Sequence, residues 1–154
     1  MNSTFVGMSR VTKLVVFLFA LSFHAIGQDR NDWILFEHAT FKEVFVKEFF
    51  TFKSLLTPDE SIEKLEGDEL VIIGYYIPVA TKDNSLILSK TPFASCFFCG
   101  SAGQETVIDV RLKKEAPRNY LADDKIKVRG RLQLNTTDWE TLSFILLDAE
   151  ILTQ

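Results

Sequence analysis

The sequence predicts a mainly β fold with one or two short helices, arranged as a small antiparallel barrel of the OB type. Three observations predict it. Five or six short runs of strand-forming residues are bounded by turn residues, only one strong helix start occurs, and two of the longest runs carry a glycine in mid-strand. A β-sandwich is the alternative, and either architecture puts the only two cysteines in a turn at a strand end.

The elements follow in chain order. Trp33 and Phe36 stand three apart, as on one helical face, which predicts a turn or two of helix over Asn31–Phe36. Thr40–Val46 is rich in strand formers and reads as a strand. In Phe52–Leu65, Leu55, Leu56, Ile62 and Leu65 recur at near-helical spacing. Thr57 as N-cap, Pro58 at the first helical position and Glu60 just after form a start signal within it, and Gly67 ends the helix.

The remainder is strand-like and contains an internal echo. Asp68–Ile77 (DELVIIGYYI) aligns with Asp124–Gln133 (DKIKVRGRLQ), with the acid, the apolar alternation and the glycine in register. A glycine inside a continuous strand marks a bulge or bend, which a small barrel needs. Further strands are predicted over Ser85–Lys90, after an Asp83-Asn84 turn, over Glu105–Lys113, and over Leu142–Leu152. Ile126, Val128, Leu132 and Leu134 alternate with Lys127, Arg129, Arg131 and Gln133, so one face of that strand is buried and the other wet. Leu70–Ile73 is apolar on both faces and is expected to be covered twice.

The N-terminal segment has the layout of a signal peptide. Arg10 and Lys13 precede an apolar block from Leu14 to Ile26, and no acid occurs before Asp29. That block is short of the roughly 20 residues of a bilayer span, and Ser22 and His24 interrupt it, so stable membrane insertion is not expected. Ala25 and Gly27 suit a signal peptidase, which predicts residues 1–27 as signal peptide and 28–154 as one domain, exported to the periplasm or secreted. The mature chain would hold 15 basic and 21 acidic residues, a net charge of −6. Such a surface opposes polyanions, so no nucleic-acid partner is expected. Lys125, Lys127, Arg129 and Arg131 read as a solvated sheet face paired with acids.

The cysteines form Cys96-Phe97-Phe98-Cys99-Gly100. Two thiols at this spacing suit a soft metal ion, zinc or copper(I), a redox disulfide or a short structural staple. Two ligands do not complete a zinc site. Glu105 and His38, the only histidine of the mature chain, are the candidates for the rest, unless a second subunit supplies them. A thiol oxidoreductase would place the first cysteine at a helix N-terminus after a strand, and no such pattern surrounds Cys96. Haem attachment is excluded because Gly100 stands where the axial histidine would follow. Tyr75, Tyr76, Trp139, Phe97 and Phe98 are candidates for an aromatic binding surface, although most are expected in the core.

Gly74-Tyr75-Tyr76-Ile77-Pro78, the segment Pro92–Gly100, Gly103-Gln104-Glu105, Val128-Arg129-Gly130 and Phe144–Glu150 together resemble a family of small exported Gram-negative bacterial proteins of uncharacterised function. The resemblance spans most of the mature chain and implies an OB-like barrel and an exported location. Relatives in that family have Cys-x-His at this turn. The resemblance therefore implies that Phe98 stands where a histidine would and that Cys99 takes over its ligand role.

The expected function is that of an exported, non-enzymatic binding or accessory module, with metal binding through Cys96 and Cys99 as its chemistry. The competing expectation is a structural interaction domain of the cell envelope, docked on another envelope protein, with the two cysteines joined as a disulfide. A thiol redox protein is the third.

Overall fold

The computed structural model describes residues 30–80, 84–100 and 102–152. The predicted signal segment, residues 1–27, lies outside them. Five strands close into a barrel: β3 (Glu69–Ile77), β4 (Ser85–Ser89), β5 (Val107–Leu112), β6 (Lys125–Leu134) and β7 (Phe144–Ile151), in the order β3-β4-β5-β7-β6. Every pair is antiparallel except β5 with β7, which run parallel. This is the mainly β, OB-like barrel expected from the sequence.

Both echoed glycines sit where the barrel needs close approach. β3 pairs with β6 over Glu69–Tyr75 and with β4 over Tyr75–Ile77, so the two ladders meet at Tyr75, next to Gly74. A Cβ on Gly74 would lie 3.0 Å from both the Leu88 Cβ and the Ser89 carbonyl oxygen. At Gly130 the register between β6 and β7 slips, opposite Asp148, whose φ is +51°. A Cβ there would lie 3.0 Å from the Ala149 Cβ and the Leu147 carbonyl oxygen. The bend predicted from the second glycine is a bulge.

Inward residues of the barrel form the main core, including Leu70, Ile72, Leu88, Ile108, Val128 and Leu146. The 3-10 helix Asp32–Phe36 completes it. Phe36 stacks on Phe144 with ring centres 4.2 Å apart, and both are fully buried. The same segment satisfies the part of β3 that β4 does not reach. Asp32 Oδ2 accepts from the Val71 amide at 2.7 Å, Asn31 Oδ1 accepts from the Ile73 amide at 3.0 Å, and Trp33 Nε1 donates to the Ile73 carbonyl at 2.9 Å. Buried backbone groups need such partners, which explains why the doubly apolar run Leu70–Ile73 is covered on its second side.

The helix expected over Phe52–Leu65 divides into two elements. β1 (Phe41–Val46) and β2 (Thr51–Leu56) form an antiparallel hairpin, a two-stranded sheet separate from the barrel, and the helix is the short α1 (Glu60–Glu63). Its N-cap is Asp59 rather than Thr57, with Asp59 Oδ1 accepting from the Ser61 and Ile62 amides at 3.0 Å each. Pro58 disfavours a helical conformation at Thr57, whose amide instead donates to the Thr40 carbonyl at 2.8 Å and closes the hairpin base. The near-helical spacing joined leucines of a strand to apolar residues beyond it.

On the outer face of β6, Arg131 pairs with Asp148 at 2.9 Å, and Arg129 lies 3.9 Å from both Glu69 and Glu150. The arginine half of the basic stripe is thus paired with acids, whereas Lys125 lies over the Tyr75 ring.

Candidate functional site

Between β4 and β5 the chain makes two consecutive 3-10 turns, Phe93–Ser95 and Phe97–Cys99, joined by Cys96. Gly100, at φ +73°, ends the second in the left-handed region that favours glycine. Cys96 is fully buried, in a small apolar cluster with Ile77 and Ile87 against Val79 and Leu142. Ile87 lies between the inward-facing Leu86 and Leu88, so this cluster is a second core on the outside of the barrel wall.

Cys99 is exposed. Both cysteines are free thiols, and Cys99 Sγ donates to the Phe93 carbonyl at 3.1 Å. Local desolvation of its sulfur, then the neighbouring Cys96 sulfur, pushes the Cys99 thiol above its ordinary range. That favours the protonated form and opposes nucleophilic or redox use at neutral pH.

The tentative ligands do not join the thiols. Among the described residues no three His, Cys, Asp or Glu side chains gather in a group that could hold a metal ion. His38 is exposed between the first 3-10 helix and β1. Glu105 lies in the 3-10 turn Gln104–Thr106, with its carboxylate folded over Gly103. Of the four residues expected from sequence, neither His38 nor Glu105 forms such a group with the two cysteines.

Phe98, the second spacer residue, lines a groove of about 470 Å³ on the outer face of β4 and β5. Val79, Ala80, Ile87 and Leu142 make its apolar wall with Phe98. Asp109, Arg111, Glu140 and Thr141 bring polar groups to the same lining. Arg111 Nε donates to Asp109 Oδ2 at 3.2 Å, whereas Asp109 Oδ1 is closed off from solvent with no hydrogen-bond donor among the described residues. An unsatisfied buried acceptor costs about 1–3 kcal/mol.

The largest exposed aromatic surface lies elsewhere, on the β1–β2 hairpin. Phe45 and Phe52 face each other across the strands with ring centres 5.2 Å apart, and Phe50 meets Phe45 edge-on at 6.4 Å. Their exposures are 48%, 62% and 86% for Phe45, Phe52 and Phe50. Phe50 sits at φ +49°, a conformation rare for a bulky residue, and the turn it ends presents its ring outward. Phe49 packs instead against Trp139, over which Lys53 also lies. Among the described residues, β1 and β2 pair only with each other. One β2 carbonyl, of Ser54, already accepts from Gln104 Nε2, while among the described residues no side chain bonds to the backbone of β1.

Of the aromatics singled out from sequence, Phe98 is exposed, Tyr76 packs against the core beside Tyr120, and Tyr75 lies under Lys125. The hairpin phenylalanines were missed. The signal was present as four phenylalanines within Phe45–Phe52, but Phe52 had been assigned to a helix. No helix among the described residues is long and apolar enough to cross a membrane. Comparison with protein-family models, with curated proteins and with solved structures finds no match to this chain.

Proposed function

We propose that the protein is an exported, non-catalytic interaction module of the cell envelope, and that its docking element is the β1–β2 hairpin. The occupant is an extended apolar segment of another envelope protein, added as a strand beside β1. One observation carries this reading: Phe45 contacts both Phe52 across the strands and Phe50 in the connecting turn, all three are exposed, and among the described residues the strand pair has no further partner strand. Strand addition uses both features, since main-chain hydrogen bonds supply affinity and alternate side chains supply specificity. An exposed apolar edge is otherwise an aggregation liability that proteins blunt or cover. The layout of residues 1–27 and the resemblance to exported Gram-negative proteins support the compartment.

Selection of displayed peptides against the whole protein, with the Phe45→Ser/Phe52→Ser variant as counter-selection, tests the proposal. It expects enriched peptides with alternating apolar residues that bind the wild type and not the variant. Binding that survives both substitutions would contradict it, and a concentration-dependent dimer abolished by them would make the occupant a second copy of this chain.

A second reading rests on the spacing of the two thiols, with Cys96 capping and Cys99 ending a single 3-10 turn. In it, Cys96 and Cys99 hold zinc or copper(I), with a second subunit completing the ligand set. Native mass spectrometry of protein purified without added metal tests this. An ion bridging two chains, lost on Cys96→Ser/Cys99→Ser, supports it, and a metal-free monomer opposes it.

A further inference from the structure

We infer that the partner strand carries a basic residue with an apolar residue two positions away on each side, and that Glu43 is the charge that selects it; this rests on strand addition at β1. The hairpin register fixes which main-chain groups of β1 are free. The Thr57 amide donates to the Thr40 carbonyl at 2.8 Å, so Thr40 and Thr57 form a hydrogen-bonded pair. Alternation along the antiparallel ladder then turns the main-chain groups of Lys42, Val44 and Val46 toward β2 and those of Phe41, Glu43 and Phe45 away from it. The same alternation turns Ser54 outward on the opposite edge, where its carbonyl accepts from Gln104 Nε2. That edge is engaged by the turn Gln104–Thr106, and the β1 edge is the one left for an added strand.

The side chains of Phe41, Glu43 and Phe45 share one face of the hairpin, with the exposed Glu43 between the two rings. Its neighbour across β2 is Ser54, and among the described residues Glu43 forms no ion pair. An antiparallel strand added at β1 sets a side chain directly opposite each of the three, about 5 Å away. Apolar residues opposite Phe41 and Phe45 extend the row that Phe52 begins. The residue between them, opposite Glu43, gains from a positive charge and loses from a negative one.

Glu43 also weighs against a second copy of this chain. Two β1 strands related by a two-fold axis exchange the most main-chain bonds when the axis passes Glu43, because Phe41 then faces Phe45 of the copy on both sides. That register sets Glu43 opposite itself. Slipping it by two residues relieves the repulsion but carries an end residue of each strand past the other. The charge thus disfavours self-pairing and favours a basic partner.

The probes are acetyl-Thr-Phe-Thr-Lys-Thr-Val-Thr-amide and the same peptide with glutamate in place of lysine. Each is titrated at low ionic strength into the whole protein and into Glu43→Lys, with the amide signals of Phe41–Val46 as the readout. The wild type is expected to bind the lysine peptide about fivefold tighter than the glutamate peptide, and Glu43→Lys to reverse the order. Equal affinities, or a preference that Glu43→Lys leaves unchanged, would overturn the role of Glu43 while strand addition stands. Binding of neither peptide would overturn strand addition and the selection with it. A wild-type dimer in sedimentation equilibrium, abolished by Phe45→Ser/Phe52→Ser, would overturn the selection in favour of a second copy.

Discussion

Two phenylalanine pairs in this molecule make similar ring contacts and do opposite things. Phe36 and Phe144 stack at 4.2 Å with no exposure, whereas Phe45 and Phe52 meet at 5.2 Å with about half of each ring or more in solvent. The first pair joins the 3-10 helix Asp32–Phe36 to the last barrel strand, and its burial stabilises the fold. The second pair is on a hairpin whose two-stranded sheet is separate from the barrel, where the rings gain each other and, for Phe45, the edge of Phe50. Aromatic surface kept in water at that density stabilises little in the free chain and is available to a partner. The contrast separates residues that hold the barrel from residues that present it.

Substitutions should break the comparison in order of burial. Phe144→Ala empties the centre of the core and is expected to cost about 3–5 kcal/mol in denaturant unfolding. Gly130→Val forces a side chain into Ala149 and the β7 backbone and is expected to cost about 1–3 kcal/mol. Cys96→Ser places a hydroxyl among Ile77 and Ile87, at about 1–3 kcal/mol, whereas exposed Cys99→Ser should stay within about 0.5 kcal/mol. Phe45→Ser and Phe52→Ser should likewise change stability by no more than about 0.5 kcal/mol while abolishing peptide binding. A large loss of stability from either hairpin change would erase the distinction between the two pairs.

The smallest effect sharpens the electrostatics around the barrel. Asp59 is held below the ordinary carboxylate range by its hydrogen bond from Ser61 and the Ile62 amide, Asp124 by the Leu121 amide and then Arg118, and Glu37 by Lys90. For each, the unfolded chain takes up the proton first as pH falls. Their stabilisation is therefore complete above the ordinary carboxylate range near pH 4 and is lost as pH falls through the lower folded values. Asp59→Asn should flatten the acid limb of a melting-temperature titration slightly, and an unchanged limb would remove Asp59 from it.

The barrel was legible because its strands obey local rules that tertiary structure did not override. The echo of Asp68–Ile77 in Asp124–Gln133 identified β3 and β6, which pair with one another, and the glycine in the second marked a real bulge. The hairpin was half legible. β1 was expected, but Leu55 and Leu56 matched a helical spacing with Ile62 and Leu65, and only pairing with β1 decides between the two periods. The cysteine turn was found, yet its burial was not, because nothing local shows that Ile77 and Ile87 form an outside cluster over Cys96. The groove was illegible for the same reason. Asp109 lies in an ordinary alternating strand, and nothing local shows that Glu140, Thr141 and Leu142 line a groove with it.

The most direct measurement is amide hydrogen exchange of the wild-type protein with and without a selected apolar peptide. Strand addition requires exchange to slow along Phe41–Val46, where β1 gains its second partner, and to remain unchanged in Phe45→Ser/Phe52→Ser. Protection confined to the Phe97–Cys99 turn, or found nowhere on the hairpin, would contradict the hairpin as the docking element.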